Sequence, residues 1–481
     1  MRLRCLTWVV SVWLLSCGAM AAITPFASGE SGLLFSLHGS NTIGASLAPS
    51  LAKDYLVAKG ATEVSIRART EPNEYRIEGR VAGQTVYIDV AAHGSGTGMR
   101  GLASGEAQIA MASRPIKASE QTLLADFGAM RHFDAEHVVA IDGLAVIVHP
   151  SNPLEALTVT EIARLFSGEI RNWAQLGGPN RPVSLYARDN KSGTWDSFKS
   201  MVLKGDYSLN AQARRFESND RLSDSVSADP GAIGFVGLAS VRQAKPVSVS
   251  QDGISPLGPE PLYVATEDYA LSRRLFLYTL PGQTPPLVQE FIGFAQSEAG
   301  QHRVAQVGFV SQNPVSLKPT LHPDAPPAYS ELVRHGERLS INFRFDAGSS
   351  RLDNKARWDV ERLRQFMSRP ENRHLQLQLI GFGDGQQSEE RALILSRMRA
   401  LRVKSALRAH DIHAASVVGF GDDLPVADSQ EAGRIKNQRV EVWLFDPAVS
   451  TVVNGAKSSL LEQRASPDSE AVSSVWPGRA Q

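Results

Sequence analysis

Val138-Val-Ala-Ile-Asp-Gly-Leu-Ala-Val-Ile-Val148, followed by Leu157-Thr-Val-Thr-Glu-Ile-Ala-Arg-Leu-Phe166, decides the fold class of the larger part of this chain. Val138–Ile141 and Leu144–Val148 are apolar enough for two buried strands. Thr158 and Glu161 form a capping box ahead of Ile162, Leu165 and Phe166, whose spacing predicts a helix. The same alternation of short apolar runs and helical stretches extends from about Leu33 to Val310. Strands that alternate with helices argue for a layered α/β domain.

A chain of 481 residues is too long for one ordinary core, so two or three domains are expected. Hydrophobic content of 42% and charged content of 21% are those of a soluble globular protein. Fifty basic residues balance 50 acidic ones, which argues against a nucleic-acid partner held by bulk charge. Residues 1–22 read as a secretory signal: Arg2 and Arg4, an apolar run from Leu6 to Leu15, and Ala19-Met-Ala21. Both cysteines, Cys5 and Cys17, lie inside it, so cleavage after Ala21 or Ala22 would leave a chain without cysteine. Lipoprotein processing at Cys17 is the alternative. No other apolar run approaches the roughly 18 residues of a membrane span.

Five prolines (Pro314, Pro319, Pro323, Pro326 and Pro327) mark 312–334 as a linker between domains at 24–311 and 335–446. In the second domain Ile341, Phe343 and Phe345 alternate with polar residues, as do Leu375, Leu377, Leu379 and Val440, Val442, Leu444. These predict half-buried strands. Ala356, Val360, Leu363 and Met367 follow helical spacing, as do Ile394, Met398 and Leu401. The order β-α-β-α-β predicts a small α+β sheet with helices on one face. Residues 447–481 lack periodicity and read as a disordered tail.

Three loops in the first domain carry oxyanion chemistry. Gly39-Ser40-Asn41-Thr42-Ile-Gly44 follows an apolar strand and precedes a helix predicted over Ala45–Lys59. Gly94-Ser95-Gly96-Thr97-Gly98-Met-Arg100 opens a helix and is followed by Ile109-Ala-Met-Ala-Ser113-Arg114-Pro115. Arg188-Asp-Asn-Lys-Ser192-Gly193-Thr194 leads into a helix around Trp195–Met201. Hydroxyls and free N–H groups at helix starts favour anions, and Arg188 adds charge. Donors converging between two lobes would form the site.

The second domain offers a different chemistry. Gly381-Phe-Gly-Asp384 and Leu395-Ser-Arg-Met-Arg399-Ala place a carboxylate in a Gly-rich loop and a guanidinium on the following helix. Such a pair can hold a zwitterion: an ammonium needs an acceptor-only carboxylate, and a carboxylate suits the fork of Arg. Arg439, in Asn437-Gln-Arg-Val-Glu441, is a further donor. His38, His93, His132, His137 and His149 have no metal-ligand spacing, and no Ser-x-Gly loop forms a nucleophile elbow. Neither a metal, a cofactor nor an enzymatic activity is expected.

Two resemblances follow from these blocks. Over most of 33–310 the chain resembles the periplasmic phosphate-binding proteins of phosphate ABC transporters. The likeness rests on the three loops, on Leu157-Thr-x-x-Glu161-Ile-x-x-Leu-Phe-x-Gly168-x-Ile-x-x-Trp173 and on Gly231-Ala-Ile-Gly-Phe235-Val. It implies a two-lobed Venus-flytrap fold that closes on phosphate or a similar oxyanion, with Ser40, Asn41, Thr42, Ser95, Gly96, Thr97, Ser113, Arg114, Arg188, Ser192, Gly193 and Thr194 as candidate ligands. Ser113 stands where some phosphate binders carry a proton-accepting Asp, and Arg67–Asp89 reads as an insertion. Over roughly 335–446 the chain resembles the OmpA-type peptidoglycan-binding domain, through Phe345-Asp-Ala-Gly348, Gly381-x-x-Asp384, Leu395-Ser-x-x-Arg399-Ala, Gly419-Phe-Gly421 with Pro425, and Asn437-x-Arg439. In that family the loop Asp and helix Arg clamp diaminopimelate of the stem peptide, which maps here onto Asp384 and Arg399. Phe382 and Ala392 depart from the family's usual His or polar residue and Asn.

Together these imply a non-enzymatic protein of a Gram-negative envelope, periplasmic and wall-associated, with the outer membrane as a candidate site. A transporter permease is a candidate partner. The alternative is an envelope structural, adhesion or signalling protein whose flytrap no longer binds an anion.

Overall fold

The computed structural model describes residues 23–447 except 28, 191, 252, 321–324, 347, 385–387 and 429–430. The expected signal at 1–22 and, beyond Pro447, the expected tail lie outside the described residues. The first lobe begins with β1 (Gly32–Gly39), α1 (Asn41–Gly44), α2 (Leu47–Ala58), β2 (Thr62–Ala68), β3 (Glu74–Val81), β4 (Gln84–Ala91), α3 (Ser95–Ser104), β5 (Ile109–Ala112) and α4 (Ala118–Leu123). β6 (Glu136–Val148) crosses into the second lobe, which contains β7 (Ala156–Thr158), α5 (Val159–Ser167), β8 (Ser184–Arg188), α6 (Gly193–Phe198), β9 (Arg214–Phe216), α7 (Asn219–Ala228) and β10 (Ala232–Gly237). After β11 (Lys245–Pro246), β12 (Ser248–Ser250) and α8 (Pro261–Ala265), β13 (Ser272–Tyr278) returns to the first lobe, closed by α9 (Pro286–Gln296) and α10 (Glu298–Val307). The strand order is β2-β3-β4-β1-β5-β13-β6-β10-β8-β9, with β11 paired beside β6.

The two apolar runs expected as separate strands form the single strand β6. Its first part pairs with β13 up to Gly143↔Ser272, and its last part pairs with β10 from Leu144↔Gly237. Asp142 does not break it, because Arg273 meets its charge at 3.2 Å. Gly143 leaves room for α8: a Cβ there would lie 2.8 Å from Val264. The capping box forms as its residues dictate. Thr158 N–H donates to Glu161 at 2.8 Å, and Glu161 N–H donates to Thr158 Oγ1 at 3.1 Å. The helix stops at Gly168, whose φ of 84° is left-handed. The stretch read as an insertion is the meander β2-β3-β4, and β4 is integral to the sheet because it pairs in parallel with β1.

The second domain contains β14 (Ser316–Leu317), α11 (Pro327–His335), β15 (Glu337–Phe343), α12 (Asn354–Ser368), β16 (Gln376–Gly381), α13 (Glu389–Arg408), β17 (Ala414–Gly419), α14 (Glu431–Asn437) and β18 (Val440–Phe445). Its sheet runs β14-β15-β18-β16-β17. Two expectations are corrected, and one expected helix shows which way it turns. The Pro-rich stretch 312–334 is no simple linker: β14 pairs with β15, and Tyr329, Leu332 and Val333 of α11 are buried. The strands are buried on both faces, because α12 and α13 cover one while α11 packs on Phe382, Phe420, Trp443 and Phe445 of the other. The stripe Ile394, Met398 and Leu401 faces solvent, since α13 approaches the sheet through Ala392, Ser396 and Ala400.

The two domains share a buried ionic cluster. Asp268, just after α8, accepts from Arg338 at 2.6 Å, from Asn342 at 2.9 Å and from Arg344 at 3.3 Å, all on or next to β15. Arg274 on β13 pairs with Glu267 at 2.9 Å and with Asp353, the N-cap of α12, at 2.8 Å. At a second contact Phe133 stacks on Trp358 and Asn354 donates to Glu136 at 3.2 Å. Burial alone would raise the Glu267 pKa, but Arg274 and Arg344 outweigh it and hold the carboxyl at about 2. A depressed carboxyl stabilises the fold fully above its ordinary value and loses that contribution as pH falls through the folded one. Glu267 therefore anchors the interface above about pH 4.5 and loosens it between there and about pH 2. Removing one partner of a buried pair costs about 3–5 kcal/mol. Asp268→Ala should lose stability of that order in urea denaturation, where a change under about 1 kcal/mol would show the cluster to be dispensable.

Candidate functional site

β6 and β13 are the strands that join the two lobes, and the crossing is marked by one ion pair. Asp142 and Arg273 face each other there, the first buried and the second largely so. Burial works against the charge of Arg273, and Asp142 offsets part of that. Arg273 also donates to Thr42 Oγ1 at 3.0 Å and to Ser197 Oγ, whose own single O–H has Asp142 at 3.1 Å and the Gly193 carbonyl at 2.9 Å as alternative acceptors. This guanidinium thus ties the start of α1 to α6, one from each lobe.

The same contact joins the first and third predicted loops. Thr42 Oγ1 donates to the Gly193 carbonyl at 3.2 Å. Gly193 is required by close approach, because a Cβ there would sit 2.4 Å from Thr42 Cα. Asn41, Thr42, Arg188, Ser192, Gly193 and Thr194 line one cavity of about 750 Å³, with Asp142, Asp189 and Glu217 also on its wall. The buried Asn41 Oδ1 has no hydrogen-bond partner among the described residues. Ser40 is buried, its N–H given to the Met111 carbonyl at 2.8 Å.

The second loop opens elsewhere. Ser95, Gly96, Thr97, Ser113 and Arg114 line a cavity of about 340 Å³ with Arg273 and Asp196. Ser113 N–H donates to Ser95 Oγ at 3.2 Å, and Thr97 Oγ1 donates to the Gly94 carbonyl at 2.8 Å. The three loops therefore do not line one cavity: the Thr42–Gly193–Arg273 bridge stands between the two. Two expected charges are also engaged within the protein. Arg188 donates to the carbonyls of Phe216 and Glu217 at 3.2 and 2.6 Å, to Thr194 at 3.3 Å and to Asn219. Arg114 makes a two-pronged pair with Glu120 at 2.7 and 2.8 Å. The residues missed from sequence are Asp142, Arg273 and Asp196. Asp142 interrupts an apolar run, and Arg273 stands with Arg274 at the start of a largely buried strand, so charges set in apolar strands were the available signal. Burial raises the Asp196 pKa against the pull of Arg273.

In the second domain the loop after β16 and the helix α13 bring Asp384 and Arg399 together. Asp384 accepts from Gln438 at 3.0 Å and lies 3.9 Å from Arg434. Arg399 is half-buried; burial pushes its pKa down and Asp384 pushes it up. Its Nη1 has no hydrogen-bond partner among the described residues. A Cβ built on Gly383 would lie 3.5 Å from that atom, in ordinary contact, so the loop passes beside the guanidinium. Arg439 does not join them and is corrected here. It is 2% exposed, stacks over Phe382 at 3.9 Å, pairs with Glu441 at 3.2 Å, donates to the Leu424 carbonyl at 3.0 Å and lies 3.8 Å from Asp268. Phe382 is accordingly a core residue beneath Arg439.

Residues 53–299, just over half of the chain, match the family model of the PBP superfamily domain. The chain belongs to the PBP superfamily. Residues 344–439 match the OmpA family. The PBP region is 30% identical over 211 residues to Phosphate-binding protein PstS of Bacillus subtilis, covering 44% of this chain and 66% of that protein, just short of two thirds. It is 30% identical over 244 residues to Protein SphX of Synechococcus elongatus, covering 47% of this chain and 69% of that one. The crystal structure of an ABC-type phosphate transport receptor from Vibrio cholerae is 25% identical with a TM-score of 0.45, covering 57% of this chain and 99% of that one. Among the described residues no cluster of His, Cys, Asp and Glu is suited to a metal, and no helix is long and apolar enough to cross a membrane.

The contact of Gly193 with Thr42 makes a prediction about the PBP domain independent of any ligand. Gly193→Ala should part the lobes and raise the radius of gyration in small-angle scattering with the circular dichroism unchanged. Superimposable scattering profiles would show that the contact does not set the closed form.

Proposed function

We propose that this chain is a non-enzymatic protein of the bacterial envelope that binds phosphate or a similar oxyanion between its two lobes and is moored to peptidoglycan by its OmpA-family domain. The observation that carries the reading is Arg273, a largely buried guanidinium at the lobe crossing, among the hydroxyls of Thr42 and Ser197 and between the two cavities. Donors fixed in advance and shielded from water are what an oxyanion needs. Relatives named as phosphate-binding proteins support the ligand class. The proposed ligands are Asn41, Thr42, Arg188, Ser192, Gly193 and Thr194 on one side and Ser95, Gly96, Thr97, Ser113 and Arg114 on the other, with Arg273 between; Ser40 supports the first loop. A shift of the lobes that opens the bridge would merge the two cavities.

The engagement of Arg188 and Arg114 by protein acceptors favours a second reading, in which the flytrap serves as an interaction module without an anion. Calorimetric titration of the full chain with phosphate and with sulfate separates the two. Binding of phosphate tighter than about 1 mM, weakened about 10- to 100-fold in Arg273→Ala and partly restored in Arg273→Lys, is the expected result. No heat from either anion would establish the second reading.

For the mooring, Asp384 and Arg399 are the proposed holders of the ammonium and carboxylate of a diaminopimelate stem peptide. Periplasmic, wall-associated residence follows from this reading, with the outer membrane and a transporter permease as further candidates. Purified sacculi should retain the wild type and release both Asp384→Ala and Arg399→Ala. Arg439→Ala, by contrast, should lower the melting temperature and keep sacculus binding below its melt. Retention of all three variants alike would remove the clamp.

A further inference from the structure

The stripe that faces the wrong way for a core helix has a chemistry of its own. α13 packs so closely that a Cβ on Gly381 would lie 2.0 Å from the Ser396 carbonyl oxygen, and one on Gly419 2.9 Å from that of Leu393. Ala392, Ser396 and Ala400 are the small inward residues that permit this; Val403 and Leu407 turn inward farther along, and Ile394, Met398 and Leu401 fall on the outer face. Ile394, Met398 and Leu401 are 54%, 58% and 48% exposed. Their i, i+4, i+7 spacing aligns them in one stripe about 10 Å long.

Cations border the stripe on both sides. At 100° per residue Arg391 and Arg402 lie along one flank, and Arg397 and Arg408 along the other. All four are exposed, and no ion pair engages their guanidinium groups among the described residues. The helix's two acids, Glu389 and Glu390, sit in its first turn, ahead of the stripe. Single exposed apolar residues are ordinary, but an aligned set with a cationic border on each side is the pattern of a helix lying in a membrane interface.

We propose that this face of α13 docks on an anionic lipid surface. Ile394, Met398 and Leu401 enter the boundary between headgroups and acyl chains, and the four arginines meet lipid phosphates with their stems along the apolar layer. A second copy fits poorly, because apposed stripes would crowd eight guanidinium groups together. An acidic protein groove would need a partner with charge on two opposed rims, whereas a lipid surface presents phosphate all around an inserted side chain. Arg399 turns instead toward Gly383, so the stripe leaves the Asp384–Arg399 site on another face of the helix.

Co-sedimentation of the full chain with vesicles tests this. Vesicles of phosphatidylcholine with phosphatidylglycerol should carry the chain down, and phosphatidylcholine alone should not. Met398→Ser with Leu401→Ser should weaken partitioning about tenfold or more, and Arg391→Gln with Arg402→Gln should weaken it and flatten its salt dependence. Asp384→Ala should partition like the wild type. Unchanged circular dichroism and melting temperature establish that the variants fold. No partitioning at low salt, or equal partitioning of the stripe variants, overturns the proposal. So does a concentration-dependent dimer abolished by the stripe variants, or stripe-dependent binding to an acidic protein without vesicle binding.

Discussion

The pairing of Asp268 with Arg338, Arg344 and Asn342 is the constraint on which the arrangement of the two domains depends. A carboxylate and two guanidinium groups taken out of water cannot be left half-paired without a large penalty. The PBP domain contributes the carboxylates Glu267 and Asp268, and the second domain contributes most of the arginines. Neither surface is satisfied alone. Glu441 extends the same logic inward, accepting from Tyr329 at 3.0 Å and from Trp443 at 3.1 Å, so the charge cluster and the aromatic layer under α11 form one block.

This constraint reaches the cleft through a property of strands. Successive side chains of β13 point to opposite faces. Arg273 therefore enters the cleft and reaches Thr42 and Asp142, while Arg274, next along the chain, reaches Asp353 in the other domain. The lobe crossing and the domain interface are set by adjacent residues of one strand. The far end of the cluster is equally close to Asp384: Arg439 lies near Asp268, and its neighbour Gln438 donates to Asp384.

Much of this was legible in the sequence wherever a local rule has a local cause. The Thr158–Glu161 box and the helix after it involve only neighbours. The three Ser/Gly loops at helix starts were visible for the same reason. Buried strands were legible as apolar runs, but their joining into one β6 was not, because it depends on Arg273, more than a hundred residues away. The helical spacing of the α13 stripe was legible, but spacing shows that apolar residues share a face and not which way that face turns. The closeness of Ser396 to Gly381 decided it. Arg439 sat in a motif suggestive of a ligand, yet its partner Asp268 lies in another domain, beyond any pattern in the second domain's own sequence. Arg188 was expected as a free charge, and the carbonyls of Phe216 and Glu217 that take up its donors are likewise invisible until the chain folds.

The helix α11 and strand β14 have a consequence for how a wall-held copy would be oriented. A Pro-rich leash would let a receptor swing through all headings, and the direction of its mouth would average out. Here Ser316–Leu317 and Pro327–His335 of that stretch are laid down as strand and helix, and the joint is bolted by ions. Such a copy has one heading and one standoff from the polymer that holds it, so the cleft is aimed rather than merely kept nearby.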